Sequence, residues 1–334
     1  MFRLFKSMFG NEEPGRYPET LIEQAIQRAV DGTDSRLRTV PGYRKSLRTP
    51  VMHAIDAVVA LVDSLPAPLA ANRQDYGKDE RLSTLFASAD RMQEVLTNDS
   101  ALSEFRDSPA SGAGQATVLL LAERVEKHVL GMEMEGETVR RDIPQVAVNF
   151  QGHRLVDPAA TTDEALRQLK RRAFDHLLSL ALARITEVAS ERADLSTQRS
   201  LLLRKLAALR QGGLRFDEAQ GGVPDAAALQ SELEDTEHQL AAIGADDRTL
   251  HTYLEIAAAV LTDAQQQLWL ECLDLHLDRM NIQRDAQDSS ARRISLTEFH
   301  NARGQRLVAL PLSVTLDELP RRDDFFTAAQ RYLG

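Results

Sequence analysis

Two long runs of regularly spaced apolar residues, joined by a glycine-rich segment, constrain the fold of this chain more than any other feature. In each run the spacing alternates between four and three, the period that packs one helix along another. The first run follows a capping box formed by Thr161 and Glu164, and the second follows Pro224. The first comprises Phe174, Leu178, Ala181, Ile185, Val188, Arg192, Leu195, Arg199, Leu202, Leu206 and Leu209, and the second Leu229, Leu233, Thr236, Leu240, Ile243, Asp247, Leu250, Leu254, Ala257, Leu261, Ala264, Leu268, Glu271 and Leu275. This pattern predicts an antiparallel coiled-coil hairpin over residues 161–286.

The turn of this hairpin suggests a register. If Arg210 faces Asp225, the numbers of facing residues add to about 435. Arg199 then lies near Thr236 and its acidic neighbours Glu234, Asp235 and Glu237. Arg192 lies near Ile243, within about a turn of Asp246 and Asp247, so both basic residues of the seam meet acidic partners. A helix over residues 163–210 would be roughly 70 Å long. We therefore expect an arm that projects beyond an ordinary globular core.

The N-terminal third has helical periodicity. Residues 17–107 contain apolar residues at helical spacing, interrupted by proline- and glycine-rich stretches, and are predicted to form a helical bundle. Residues 1–16 are predicted to be an amphipathic tail. The segment 108–114 is predicted to be a linker.

Two segments carry strand signals. Residues 116–160 are predicted as a mixed segment with a β-hairpin that turns at Gln151 and Gly152, and residues 116–131 suit either a helix or a strand. Residues 287–334 are predicted as a second β-hairpin, turning at 301–304, and a C-terminal helix, with Pro311 at a sheet edge or strand end. The predicted fold is therefore mainly α with a small β element: a helical N-terminal bundle and a long antiparallel coiled-coil hairpin arm.

Composition narrows the classes of function. The net charge is -10 and the pI is about 5.4, which disfavours bulk attraction to nucleic acid or anionic lipid. Cys272 is the only cysteine, which is typical of a reducing compartment, and no apolar run is long enough to span a bilayer. We therefore expect a cytoplasmic protein.

The sequence contains no motif typical of a catalytic, cofactor-binding or metal site. Cys272 and His276 are four residues apart on the predicted second arm helix, but two ligands do not make a metal site, and we interpret them as structural. No cofactor is expected, and we expect no enzymatic activity.

Three segments are candidate binding surfaces. A basic stripe could contact phosphate or nucleic acid, although a solvated linker whose arginines pair with nearby acids is the favoured interpretation. Phe2, Phe5 and Phe9 could contact a membrane or dock on protein. Leu214 and Phe216, with Arg215, lie at the predicted arm tip, where they could bind a protein partner, although a tip that packs on itself is the favoured interpretation. The stripe consists of Arg36, Arg38, Arg44, Lys45 and Arg48.

The favoured hypothesis is a non-enzymatic cytoplasmic scaffold or adaptor that uses the coiled-coil arm for protein-protein interaction. One alternative is a nucleic-acid-associated protein that binds through residues 36–48. Another is a peripheral membrane protein anchored by residues 1–10. A protein partner is expected, and a second copy of the chain is among the candidates.

Overall fold

The computed structural model describes residues 17–112, 114–135, 138–210, 226–243 and 248–320. The helices are α1 (Glu19–Asp31), α2 (Tyr43–Asp63), α3 (Glu80–Leu85), α4 (Ala89–Asn98), α5 (Ser100–Asp107), α6 (Thr162–Arg210), α7 (Ala226–Ile243), α8 (Thr249–Thr262) and α9 (Ala264–Gln267). The strands are β1 (Leu69–Ala70), β2 (Gln115–Glu135), β3 (Thr138–Ala159), β4 (Leu268–Leu277), β5 (Arg292–Asn301) and β6 (Arg306–Thr315). Short 3-10 turns cover Ser35–Thr39, Pro109–Ser111 and Leu316–Glu318.

The prediction of a mainly α fold with a small β element is wrong. Of the residues that the structure describes, 55% are helical and 26% lie in strands, and these strands form one six-stranded sheet. The chain divides into two units: residues 1–56 with 174–264 make up the helical unit, and 57–173 with 265–334 the sheet unit. Residues 17–107, predicted as a single bundle, are therefore shared between the two units.

The sheet has the strand order β3-β2-β6-β5-β4, and these neighbours are antiparallel, whereas β1 adds to β6 in parallel. The segment after β4 links the two outer strands. Gln283 bridges to Leu277 at the end of β4, and Ile282 bridges to Ala147 in β3. The backbone of Val148 also donates to the carbonyl of Asn281 at 2.8 Å. These contacts satisfy backbone groups that would otherwise be exposed at the sheet edges.

Alternate residues of the strands supply two apolar cores, one on each face of the sheet. The larger core packs α3, α4 and α5 against the sheet, and its buried side chains include Leu82, Phe86, Met92, Leu120, Leu296 and Leu310. The smaller core contains Val62, Leu119, Leu121, Leu169 and Ala309. Beside the smaller core, Lys170 is 5% exposed, and its ammonium lies 2.8 Å from Asp63.

Caps explain where the three short helices of the sheet unit begin. The side chains at the first positions accept hydrogen bonds from backbone N–H groups that the helix itself leaves unpaired. The pairs are Asp79 with Arg81 at 2.9 Å, Ser88 with Arg91 at 3.1 Å, and Asp99 with Leu102 at 3.1 Å.

Strands β2 and β3 form a long ribbon, only part of which lies within the sheet. β2 pairs with β6 from Gln115 to Ala122, whereas its pairing with β3 continues to Glu135. Residues 116–131, for which helix and strand both remained open, are therefore strand. The predicted turn at Gln151 and Gly152 is wrong, because both residues lie inside β3. Gly152 has a φ of 63° and sits at a register shift opposite β2, so the glycine accommodates a bulge.

The hairpin of β5 and β6 turns where the sequence predicts. The N–H of Gly304 donates to the carbonyl of Asn301 at 2.9 Å. Pro311, however, lies within β6, between β2 and the other neighbours of that strand. Proline is tolerated there because the ladder with β5 ends at Ala309 and the parallel pairing with β1 begins at Leu312.

In the helical unit, α1 buries one face, on which apolar residues recur at helical spacing. Gly32 ends α1 beside α6, where an added Cβ would lie 2.8 Å from Cδ1 of Leu178. Arg28 and Asp175 join the two helices through two hydrogen bonds of 2.5 Å. The buried residues of α1 are Leu21, Ile22, Ala25, Ile26, Ala29 and Val30.

The predicted hairpin is helical only to residue 267. The first predicted helix is α6, but the second consists of α7, α8 and the short α9, and the chain then continues into β4. Leu268 and Leu275 fitted the helical period, yet they belong to a strand in which β5 is the neighbour. A short apolar run fits both periods, so the spacing alone could not separate them.

In the described residues, no helix has both the length and the apolar character that a membrane crossing requires.

Candidate functional site

The helical hairpin formed by α6 and α7 is the main candidate for an interaction surface. Its small core consists of Leu202, Leu206, Leu229 and Leu233, all at most 9% exposed. Further along α6, Leu180 and Ala181 pack against Val260 of α8. The helix pair is antiparallel, because higher numbers in α6 meet lower numbers in the returning helices. As the register predicts, Arg199 contacts Glu237, with Nε donating to Oε1 at 2.7 Å.

Large apolar side chains remain exposed on α6. Among the described residues, eight large hydrophobic side chains are exposed, and four of them belong to this helix. Leu201 is 50% exposed and Leu203 is 42% exposed, although their neighbour Leu202 is buried in the hairpin core. Since adjacent residues on a helix point about 100° apart, these two leucines lie on opposite sides of the seam. The other two are Leu182 and Leu209.

One side of the hairpin combines an exposed leucine with opposite charges. Gln198 of α6 donates to Glu232 of α7 at 3.2 Å, which defines the side on which they meet. Leu201 and Lys205, three and seven residues after Gln198, share that side of α6. Asp235, three residues after Glu232, shares that side of α7. We call Leu201, Lys205, Glu232 and Asp235 the 201/205 flank.

The two helices of the hairpin carry opposite charge. Residues 195–210 contain four basic side chains and no acidic one, whereas α7 contains four acidic side chains and no lysine or arginine. Within the hairpin, a basic stretch of α6 therefore lies beside an acidic helix, α7. The basic residues are Arg199, Arg204, Lys205 and Arg210, and the acidic ones are Glu232, Glu234, Asp235 and Glu237.

Other predicted contact residues lie outside the described part of the chain. They are the tip residues Leu214, Arg215 and Phe216, the tail residues Phe2, Phe5 and Phe9, and the predicted C-terminal helix.

The arginines of the basic stripe form ion pairs with nearby acidic residues. Arg36 lies 2.5 Å from Asp34, and Arg38 lies 2.5 Å from Asp31. The hydrogen bond from Arg36 lowers the pKa of Asp34 below its usual range. In α2, Arg44 is 3.3 Å from Glu23 and also contacts the ring of Tyr43, Arg48 pairs with Glu19, and Lys45 is exposed. The four arginines therefore have acidic partners within the protein.

Cys272 and His276 lie on β4 and not on a helix, so the predicted placement is wrong. Cys272 is exposed and pairs across the ladder with Thr297, whereas His276 pairs with Arg293. Within the described ranges, no three His, Cys, Asp or Glu side chains are grouped as metal ligands would be.

A chain of charged and aromatic side chains crosses the sheet, and no sequence pattern indicates it. Glu298 of β5 is 3% exposed and accepts a hydrogen bond from Nε of Arg124, in β2, at 3.2 Å. Its other oxygen lies 3.0 Å from Nε2 of His300, although these two atoms do not form a hydrogen bond. Trp269 stacks on His300 with ring centroids 5.6 Å apart and donates to Glu271 at 2.8 Å. We call these five residues the sheet charge chain.

The sheet charge chain connects three strands that are far apart in sequence. Arg124 also pairs with Glu126, which is half exposed, whereas Glu298 is enclosed. A buried carboxylate needs a charged or hydrogen-bonding partner, and Arg124 supplies it. Nothing in this arrangement requires a substrate, so we interpret the chain as a structural cross-link of the sheet.

His153 is a second partly buried histidine, and its surroundings predict an effect of pH on stability. Its Nε2 lies 2.8 Å from the carbonyl of Leu85, and its ring stacks on Phe86. Burial lowers the pKa of His153. As pH falls below about 6.5, the unfolded chain therefore takes up a proton before the folded protein does. The contribution of His153 to the free energy of unfolding is fully present above that pH and decreases below it.

We expect a His153→Gln variant to lose less stability than the unsubstituted protein when the pH falls from about 7 to about 5. Urea unfolding at a series of pH values measures the difference. Burial lowers the pKa of His176 as well, so the variant should keep part of the slope. Identical slopes for both proteins would show that His153 does not contribute.

The comparisons with known proteins add no relative. No family model, curated protein or solved structure matches this chain.

Proposed function

We propose that this chain is a non-enzymatic cytoplasmic adaptor that presents its helical hairpin to a protein partner as a coiled-coil arm. The observation that carries this proposal is the set of exposed leucines on α6. A soluble surface normally keeps large apolar side chains scattered, whereas a group of them on one element marks an interaction site. Leu201 and Leu203 flank a seam that is already filled by Leu202, so the partner would approach the sides of the hairpin.

Nucleic-acid binding is less well supported. The arginines at 36, 38, 44 and 48 each contact an acidic side chain of the protein, and binding phosphate would require breaking these pairs. The net charge of -10 would also oppose the approach of a polyanion. The membrane alternative depends on residues 1–10, which lie outside the described residues.

The test is a cross-linking pull-down from the source cells with a Leu201→Ser/Leu203→Ser double variant. We expect the double variant to lose a partner that the unsubstituted chain retains, because each of the two half-exposed leucines contributes about 1 kcal/mol when a partner buries the rest of its surface. A control is Met280→Ser in the segment between β4 and β5, where an apolar side chain that belongs to no such group is 82% exposed. Retention of every partner by the hairpin variant would refute the proposal.

A further inference from the structure

We infer that the 201/205 flank binds the same flank of a second copy of this chain, so that two hairpins associate about a two-fold axis. This inference rests on the proposed function, for which it names the partner. A two-fold interface uses the same patch on both copies, so the patch must be complementary to itself. The 201/205 flank meets this condition because it carries an apolar residue, a cation and two carboxylates.

The charges favour a second copy over other partners. A two-fold axis along the hairpin places the basic α6 of one copy beside the acidic α7 of the other, and does so twice. This axis keeps each residue at its height, and residue 205 is level with residue 230 in the register of the hairpin, so Lys205 of each copy lies nearest Glu232 of its partner, with Asp235 about one turn beyond. A uniformly acidic or uniformly basic protein would instead meet one helix of like charge, which costs affinity.

The apolar contribution comes from Leu201. It is 50% exposed in the single chain, and the two-fold axis brings the two copies of this leucine to the same interface. The association would therefore combine apolar burial with two charge contacts at its rim, the usual division in a protein interface.

The opposite side of the hairpin is less suited to the same role. There Arg199 already contacts Glu237 at 2.7 Å, so its charge is satisfied within one chain. Leu203 lies one turn after Arg199 on that side. One turn further along, the residue is Ala207, whereas Lys205 holds the equivalent position after Leu201. The 201/205 flank is thus the side on which a second copy supplies the complementary charge.

Sedimentation equilibrium of the full chain tests the inference by charge exchange. We expect Lys205→Glu and Asp235→Lys each to raise the dimer dissociation constant roughly tenfold or more, because each places like charges together twice. A mixture of the two variants should regain association, since each interface contact then pairs opposite charges again. Lys127→Glu is the control, because it makes the same change in net charge as Lys205→Glu at an exposed lysine of the β2–β3 ribbon, outside the flank.

Each outcome decides the inference. A chain that stays monomeric at every accessible concentration would overturn it, as would a dimer that neither Lys205→Glu nor Asp235→Lys weakens. A mixture that does not regain association would also overturn it, with far-ultraviolet circular dichroism confirming that both variants are folded. If the chain is monomeric but Leu201→Ser/Leu203→Ser loses a different protein in the pull-down, the proposed function stands and self-association does not.

Discussion

Replacing Glu298 with alanine is expected to lower the free energy of unfolding by about 1–3 kcal/mol, because the nearly buried Arg124 keeps only its half-exposed partner Glu126. Arg124 is 11% exposed in its side chain and would lose the enclosed carboxylate that it contacts at 3.2 Å. His300 would lose a neighbour at 3.0 Å in the same step. Urea unfolding followed by circular dichroism measures the change.

The control for this substitution removes the other carboxylate that Arg124 contacts. Glu126→Ala breaks an ion pair in which the acid is 47% exposed, and such pairs contribute only about 0–1 kcal/mol. A second variant, Glu298→Gln, keeps the shape and one accepting oxygen, and its loss should fall between the other two. If Glu298→Ala costs no more than Glu126→Ala, the sheet charge chain does not cross-link the strands.

The sheet charge chain shows what the sequence could not reveal. Its members lie on β2, β4 and β5, and their order in the chain carries no information about the strand order that brings them together. Glu298 and His300 do alternate in a predicted strand, which places them on one face. If the neighbouring strands are not known, however, that face could equally be exposed to solvent or buried. A buried carboxylate is recognised only when its enclosing neighbours are known.

The error at β4 has a different physical origin. Leu268 and Leu275 extend the seam of the preceding helices, so the helical pattern continues past the point where the helix ends. The competing pattern is the alternation of Leu273, Leu275 and Leu277, which becomes decisive only when β5 is available to pair with it. Strand formation here depends on long-range pairing, whereas the helical period is a local property.

Local signals were sufficient where a feature depends on neighbouring residues. The chain reverses at Asn301 and Gly304 as their turn chemistry predicts, since a glycine there accepts a φ of 77°. The hydroxyl of Thr161 accepts from the backbone of Glu164 at 3.3 Å, which is half of the predicted capping box. The period and the position of one turn placed Arg199 among three acidic residues of the neighbouring helix, and Glu237 is the one that it contacts.

Substituting Leu202 with alanine is expected to release α7 from α6 while leaving the sheet folded. Leu202 is 2% exposed, and the cluster that it belongs to has only four buried leucines. Truncating a buried leucine costs about 2–5 kcal/mol, and a cluster this small has few other contacts to offset the loss. Hydrogen exchange measures the effect, because amide protection reports the free energy of local opening.

The expected pattern is faster exchange in α7 and in the second half of α6, with unchanged protection in β5 and β6. Leu203→Ala is the matched control: it makes the same chemical change at the next residue, which is 42% exposed, so exchange in α7 should stay nearly the same. Equal acceleration in the sheet would show that the hairpin and the sheet unfold as one unit. Unchanged exchange in α7 would show instead that the four leucines do not hold the hairpin together. A hairpin that opens in this way could present neither its leucines nor its paired charges in a fixed arrangement, so any binding that depends on the 201/205 flank should be lost with Leu202→Ala and kept with Leu203→Ala.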